Sequence, residues 1–201
     1  NPPVVRASTF LFETLADFEE ASRHPFDGAF YGRVGTPTTF AFEQAMAELE
    51  GGFRSIAASS GVAAISAALL AFLDKGDHVL VVDTVYDPVR RFCNRMLARL
   101  GIETTFYDPS LGAGIADLIR PNTRLVYMES PGSGTFEVQD IAAVVAAAKA
   151  AGVRTAIDNT WATPLFFRPL EHGIDVSIHS GTKYIVGHSD AMLGVVTTNA
   201  E

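Results

Sequence analysis

Along most of the chain, short apolar runs alternate with longer stretches of mixed polarity. Ser55–Ser59, His78–Asp83, Glu103–Tyr107, Leu125–Glu129, Arg154–Asp158, Val176–His179 and Met192–Thr198 are short and mostly continuously apolar. Runs of that kind suit strands buried on both faces of a sheet. Between them, Gly61–Leu73, Val89–Leu100, Ile115–Ile119 and Ile141–Ala151 read as helices. Strand and helix in repeated alternation predict an α/β fold: three layers, α/β/α, around a mostly parallel seven-stranded sheet with right-handed crossovers.

The beginning of the chain breaks this rhythm. Phe10, Phe12, Phe18, Phe26, Phe30 and Tyr31 are scattered among Gly and Pro without a helical period. Residues 1–35 are therefore expected to form an irregular N-terminal arm that packs on something else, followed by one domain over residues 36–201. An amphipathic helix is expected from Thr38 to Glu50, stopped by Gly51-Gly52.

Composition narrows the chemistry. The net charge is −8 and no basic run exceeds Arg90-Arg91, which argues against nucleic acid or an anionic membrane surface as partner. The longest apolar run, Val62–Leu73, is interrupted by Ser66 and is shorter than the ~18 residues a membrane span needs. One cysteine, Cys93, cannot close an internal disulfide; with no basic, apolar leader at Asn1, this fits a reducing, cytoplasmic setting. His24, His78, His172, His179 and His188 have no metal-ligand spacing, so no metal is expected. The GxxxxGK[ST], GxGxxG and GxSxG motifs are absent, which disfavours P-loop, dinucleotide-binding and serine-hydrolase chemistry.

The residues that remain cluster at predicted strand ends. Lys183 follows the Val176–His179 strand, with hydroxyls at Ser180 and Thr182 just before it. Ligands of open α/β sheets bind at the carboxyl edge of the strands. A lysine amine there, partly desolvated, is suited to a Schiff base; the alternative is a surface lysine capping a loop. Asp158 ends another strand and is either a cation partner or a loop cap. A Schiff-base lysine with an acid for a protonated pyridine nitrogen is the pairing that pyridoxal phosphate requires. Ser60-Gly61-Val62 joins a strand to a helix whose free N–H groups suit an anion. Tyr86 follows a third strand, as a ring to stack on a flat cofactor or as a core tyrosine, and Arg33 in the arm has a planar fork matched to phosphate.

Together with Tyr31-Gly32-Arg33-Val34-Gly35-Thr36-Pro37-Thr38, Leu49-Glu50-Gly51-Gly52, Ser60-Gly61-Val62-Ala63-Ala64, Glu129-Ser130-Pro131-Gly132-Ser133, Asp158-Asn159-Thr160-Trp161, Thr182-Lys183-Tyr184 and Gly187-His188-Ser189-Asp190, these residues resemble the Cys/Met-metabolism family of pyridoxal phosphate enzymes over nearly the whole chain. The resemblance implies Lys183 as the Schiff-base and proton-shuttling residue, Asp158 as the pyridinium partner and Tyr86 as the stacking residue beside the substrate. It implies phosphate held by the Gly61 and Val62 backbone with Ser180 and Thr182, and Tyr31 and Arg33 reaching the phosphate of a neighbouring subunit's cofactor. A homo-oligomer, a tetramer in the family, follows from that sharing.

Gly132-Ser133-Gly134 stands where many γ-lyases and γ-synthases of the family have Asn-Pro. The chain is thus more similar to the family's β-lyases, which implies cleavage of cystathionine or a related cysteine conjugate to homocysteine or another thiol, pyruvate and ammonia, in methionine biosynthesis. A γ-synthase or γ-lyase is the alternative within the family, and a non-catalytic α/β binding module the alternative outside it. The resemblance also implies a C-terminal domain, absent from these residues, that supplies an arginine for the substrate carboxylate; by itself the chain is expected to hold the cofactor half of the site and little activity.

Overall fold

The computed structural model describes residues 3–200. The chain divides into two compact units, Asn1–Met46 and Ala47–Glu201.

In the first unit, helix α1 spans Leu15–Arg23, inside the segment expected to be irregular. Its signal is a capping box and not an apolar period. Thr14 Oγ1 accepts the Asp17 N–H at 3.1 Å, Asp17 Oδ2 accepts the Thr14 N–H at 3.2 Å, and no residue of the helix is buried. Helix α2, Pro37–Glu50, follows, starting in the first unit and ending in the second, and beginning one residue before the expected Thr38 because proline is well tolerated in a first turn. Between them Tyr31 bridges Thr9, and the Gly32 N–H donates to Ser8 O at 2.8 Å. A Cβ at Gly32 would lie 1.8 Å from Ala7 O, so only glycine permits this approach.

The second unit holds one sheet of seven strands: β1 Arg54–Ala58, β2 His78–Val82, β3 Glu103–Tyr107, β4 Thr123–Glu129, β5 Arg154–Asp158, β6 Val176–His179 and β7 Gly194–Thr198. Their order is β1-β7-β6-β5-β4-β2-β3. Strand β7 runs antiparallel to β1 and β6, and the remaining pairs are parallel, so the sheet is mixed but mostly parallel as expected. Every residue of β2 and β6 is buried. Successive side chains of a strand point to opposite faces, so both faces are covered.

Helices α3 Gly61–Phe72, α4 Asp87–Phe92, α5 Ile141–Ala150 and the short α6 Thr163–Phe166 complete the unit. The helix expected over Val89–Leu100 is α4 continued by a π-helical turn, Cys93–Leu97. The one expected over Ile115–Ile119 is a 3-10 turn, Gly112–Leu118. Burial pushes the Cys93 thiol up to about 11, which keeps it in the unreactive neutral form. Strand β7 starts two residues later than its apolar run, because Met192 and Leu193 lie outside the ladder and pairing with β1 begins at Gly194.

Candidate active site

The parallel strands share a direction, so β2, β4, β5 and β6 present their carboxyl ends on one edge. A cavity of about 380 Å³ opens there. Gly61, Val62, Tyr86, Asp158, Ser180, Thr182 and Lys183 all line it, so the fold gathers every second-unit residue singled out in the sequence. Tyr31 and Arg33 belong to the first unit, where the Arg33 guanidinium lies 5.4 Å from the Tyr31 ring centroid.

One wall is the start of α3. Ser60 caps it, its Oγ accepting the Ala63 N–H at 3.2 Å. The N–H groups of Gly61 and Val62 have no acceptor within the helix, as in any first turn, and the helix dipole adds positive potential. A Cβ at Gly61 would lie 2.5 Å from Ser180 Cβ and Oγ, so the bare glycine is what lets the Ser180 hydroxyl approach these donors. Thr160 Oγ1 accepts the Ser180 N–H at 2.8 Å and orients the turn. The Thr182 hydroxyl accepts from Leu193 N at 2.9 Å and donates to Leu193 O at 3.1 Å, so its hydrogen already serves the main chain.

The opposite wall is acidic. Asp158 and Glu129 are partners in the β4–β5 ladder, each the last residue of its strand and each buried. Thr160 donates its N–H and its hydroxyl to Asp158 Oδ1 at 3.0 and 2.5 Å. Burial raises the Asp158 carboxyl above the ordinary range, opposed by those two bonds and by the fields of His179 and Lys183. Asp158 forms no ion pair among the described residues. Burial, and then the neighbouring Asp158, push Glu129 up to about 7. Below this edge, buried His179 Nε2 is hydrogen-bonded to Glu50 Oε1 at the end of α2.

Lys183 stands on a turn beyond β6. Its Nζ donates to Ser180 Oγ at 2.9 Å and lies 5.8 Å from the Tyr86 ring centroid. The residue is exposed, where a Schiff-base lysine was expected to be partly desolvated; the turn carries it to the rim instead of the strand-end floor. Glu129, Thr160, Trp161 and Tyr184 also line the cavity and were not singled out as site residues. Glu129 had the same signal as Asp158, an acid closing an apolar run, whereas Thr160 and the two aromatic residues had none outside their motifs.

A family profile described as Cys/Met metabolism PLP-dependent enzyme matches residues 1–201. The chain belongs to this family. Among curated relatives, cystathionine beta-lyase of Bordetella avium is 48% identical over 204 residues, covering all of this chain and 51% of the relative. Cystathionine beta-lyase MetC of Escherichia coli K12 is 46% identical over 203 residues, again covering all of the chain and 51% of the relative. A crystal structure of metB from Corynebacterium glutamicum superposes with a TM-score of 0.91 at 34% identity, covering 99% of this chain and 50% of that one. The chain thus spans about half the length of the relatives it matches.

The family's cofactor, pyridoxal phosphate, fits the residues present. A buried carboxylate without an ion pair suits a protonated ring nitrogen, and Asp158 is that group. Free N–H groups of Gly61 and Val62 with the Ser180 hydroxyl suit the phosphate, Lys183 Nζ suits the aldehyde carbon, and the half-exposed Tyr86 offers a ring face to the cavity.

Proposed function

We propose that the protein is a pyridoxal-phosphate-dependent carbon–sulfur β-lyase that cleaves cystathionine to homocysteine, pyruvate and ammonia. The observation that carries this reading is the meeting, in one cavity, of a lysine amine, a buried unpaired carboxylate and a helix N-terminus. Relatives named cystathionine beta-lyase support the choice of substrate. Because the chain spans about half their length, the activity is proposed for the full-length protein.

The cofactor, when bound, supplies a ring that takes up the charge left at Cα after proton removal. Asp158, oriented by Thr160, keeps a proton on the ring nitrogen and so preserves that capacity. The first N–H groups of α3 and the Ser180 hydroxyl hold the phosphate and set the ring's position. Lys183 Nζ would hold the cofactor's aldehyde carbon, and its free amine would take the Cα proton of the substrate and deliver a proton to the departing sulfur. Ser180 Oγ, at 2.9 Å, keeps the amine near both tasks. Tyr86 would stack beside the substrate, and Tyr31 and Arg33 would reach the phosphate in a neighbouring copy, which would make the working unit a homo-oligomer.

Incubating the loaded full-length protein with cystathionine tests the reading. Homocysteine with pyruvate is the expected outcome, and release of cysteine in place of homocysteine would replace it by γ-cleavage. Lys183→Ala is expected to lose the linkage that borohydride reduces to a secondary amine, read by mass spectrometry.

A further inference from the structure

Glu129 has no role in the scheme above, although it lies inside the cavity between two loops that shape it. Its Oε2 accepts the Tyr86 N–H at 2.8 Å, and the Ser133 side chain also hydrogen-bonds its carboxyl group. The same two loops meet a second time, where the Ser133 N–H donates to Thr84 O at 2.7 Å. Gly132 permits this contact, since a Cβ there would lie within 2.5 Å of Thr84 Cβ. Tyr86 is 41% exposed and stands at the N-cap of α4, where its carbonyl accepts the Val89 and Arg90 N–H groups; its own N–H is held by Glu129.

The neighbour of Glu129 in the ladder is Asp158. Two buried carboxylates side by side repel, and one of them keeps a proton. Asp158 accepts two bonds from Thr160, and the fields of His179 and Lys183 favour its anion. Glu129 accepts a single main-chain N–H and one serine contact. The anion is therefore better supported on Asp158, and the proton stays on Glu129. The other titratable groups around Glu129 do not compensate its charge: Tyr127, on the same strand, is buried and neutral, and Lys183, which also lines the cavity, donates to Ser180 Oγ and forms no ion pair with Glu129 among the described residues.

We propose that Glu129 is a positioning residue for the cofactor site: as a neutral carboxyl group it ties the Tyr86 loop to the Ser133 loop and leaves the negative charge of the pair on Asp158. The proposal rests on the reading of the cavity as a pyridoxal phosphate site. It gives Glu129 an effect on the cofactor through Tyr86 and Asp158, without requiring contact of its own.

The test is a titration of the full-length protein with pyridoxal phosphate, followed by absorbance and protein fluorescence, in wild type, Glu129→Gln, Glu129→Ala and Lys183→Ala. Glutamine retains a neutral oxygen for the Tyr86 N–H, so Glu129→Gln is expected to bind within about twofold of wild type. It is also expected to lose the change in affinity that wild type shows between about pH 6 and 8, where Glu129 ionises. Glu129→Ala is expected to bind about 10- to 100-fold more weakly, the usual cost of removing an outer support of a ligating group.

Wild-type affinity in Glu129→Ala would overturn the proposal, and so would a Glu129→Gln variant as weak as Glu129→Ala, which would show that the charge itself is needed. Thermal melting without cofactor identifies an unfolded alanine variant, in which case the pH profile of Glu129→Gln decides. Lys183→Ala separates the two levels of failure: a reducible linkage that survives this change sinks the site reading and the proposal with it, whereas its loss beside unaffected Glu129 variants sinks the proposal alone.

Discussion

The cavity has two kinds of wall. Asp158 and Glu129 close adjacent parallel strands, buried and in register, with the sheet ladder on either side. Lys183 and Tyr86 project from turns, exposed; the Lys183 side chain is hydrogen-bonded through Nζ to Ser180 Oγ, and the Tyr86 N–H is bonded to Glu129 Oε2. The strand-end groups acquire their electrostatic character from burial as soon as the sheet forms. The turn groups retain the freedom that bond exchange and proton transfer demand. On the proposed reading, the charge of the site comes from its rigid wall and its reactivity from the looser one.

Changes in the rigid wall should be felt most. If the full-length protein is the proposed β-lyase, Asp158→Asn is expected to lower its pyruvate release from cystathionine by about 10²–10³-fold, the usual loss when one preorganised charge-stabilising group is removed. Steady-state kinetics of the loaded protein measures it, and a loss below tenfold would mean that the ring nitrogen is served by another group.

The second effect is on stability. Glu129 ionises at about 7 in the fold and at its ordinary value of 4.5 when unfolded. Across that window the folded chain holds a proton that the unfolded chain releases, so stability falls as pH rises and stays low above pH 7. The loss amounts to about 3 kcal/mol. Glu129→Gln is expected to remove this slope and to melt higher than wild type at pH 8. Equal melting temperatures at that pH would place the retained proton elsewhere in the pair.

Gly61→Ala comes next. The added Cβ presses on Ser180 and costs about 1–3 kcal/mol of stability, together with weaker pyridoxal phosphate binding. Denaturant unfolding and cofactor titration should report the two losses in the same variant. Ser60→Ala, which removes only the cap of α3, should cost about 1 kcal/mol by chemical denaturation.

Much of this arrangement is legible in the residue order. The strand segments end within a residue or two of their apolar runs, because continuous apolar character is what a sheet covered on both faces requires. Asp158 stands out as an acid directly after such a run. Helix α1 is different: with no residue buried it has no apolar stripe to reveal it, only Thr14 and Asp17. The exposure of Lys183 was also hidden, since the number of residues between a strand end and a side chain does not say how far a turn swings it outward. Glu129 was visible as a strand-end acid but had no sign of its partner, because its meaning depends on which strand lies next to it.

Order along the chain dictates the alternation of strand and helix, the strand-end placement of Lys183, Asp158, Glu129 and Tyr86, and the glycine at the start of α3, since these depend on local apolar pattern and turn chemistry. The folded chain alone decides that β4 lies beside β5, so that two distant acids become a coupled pair, and that Gly61 meets Ser180. Strand order and register are set by long-range hydrogen bonding and burial, and no local segment encodes which of its neighbours will supply them.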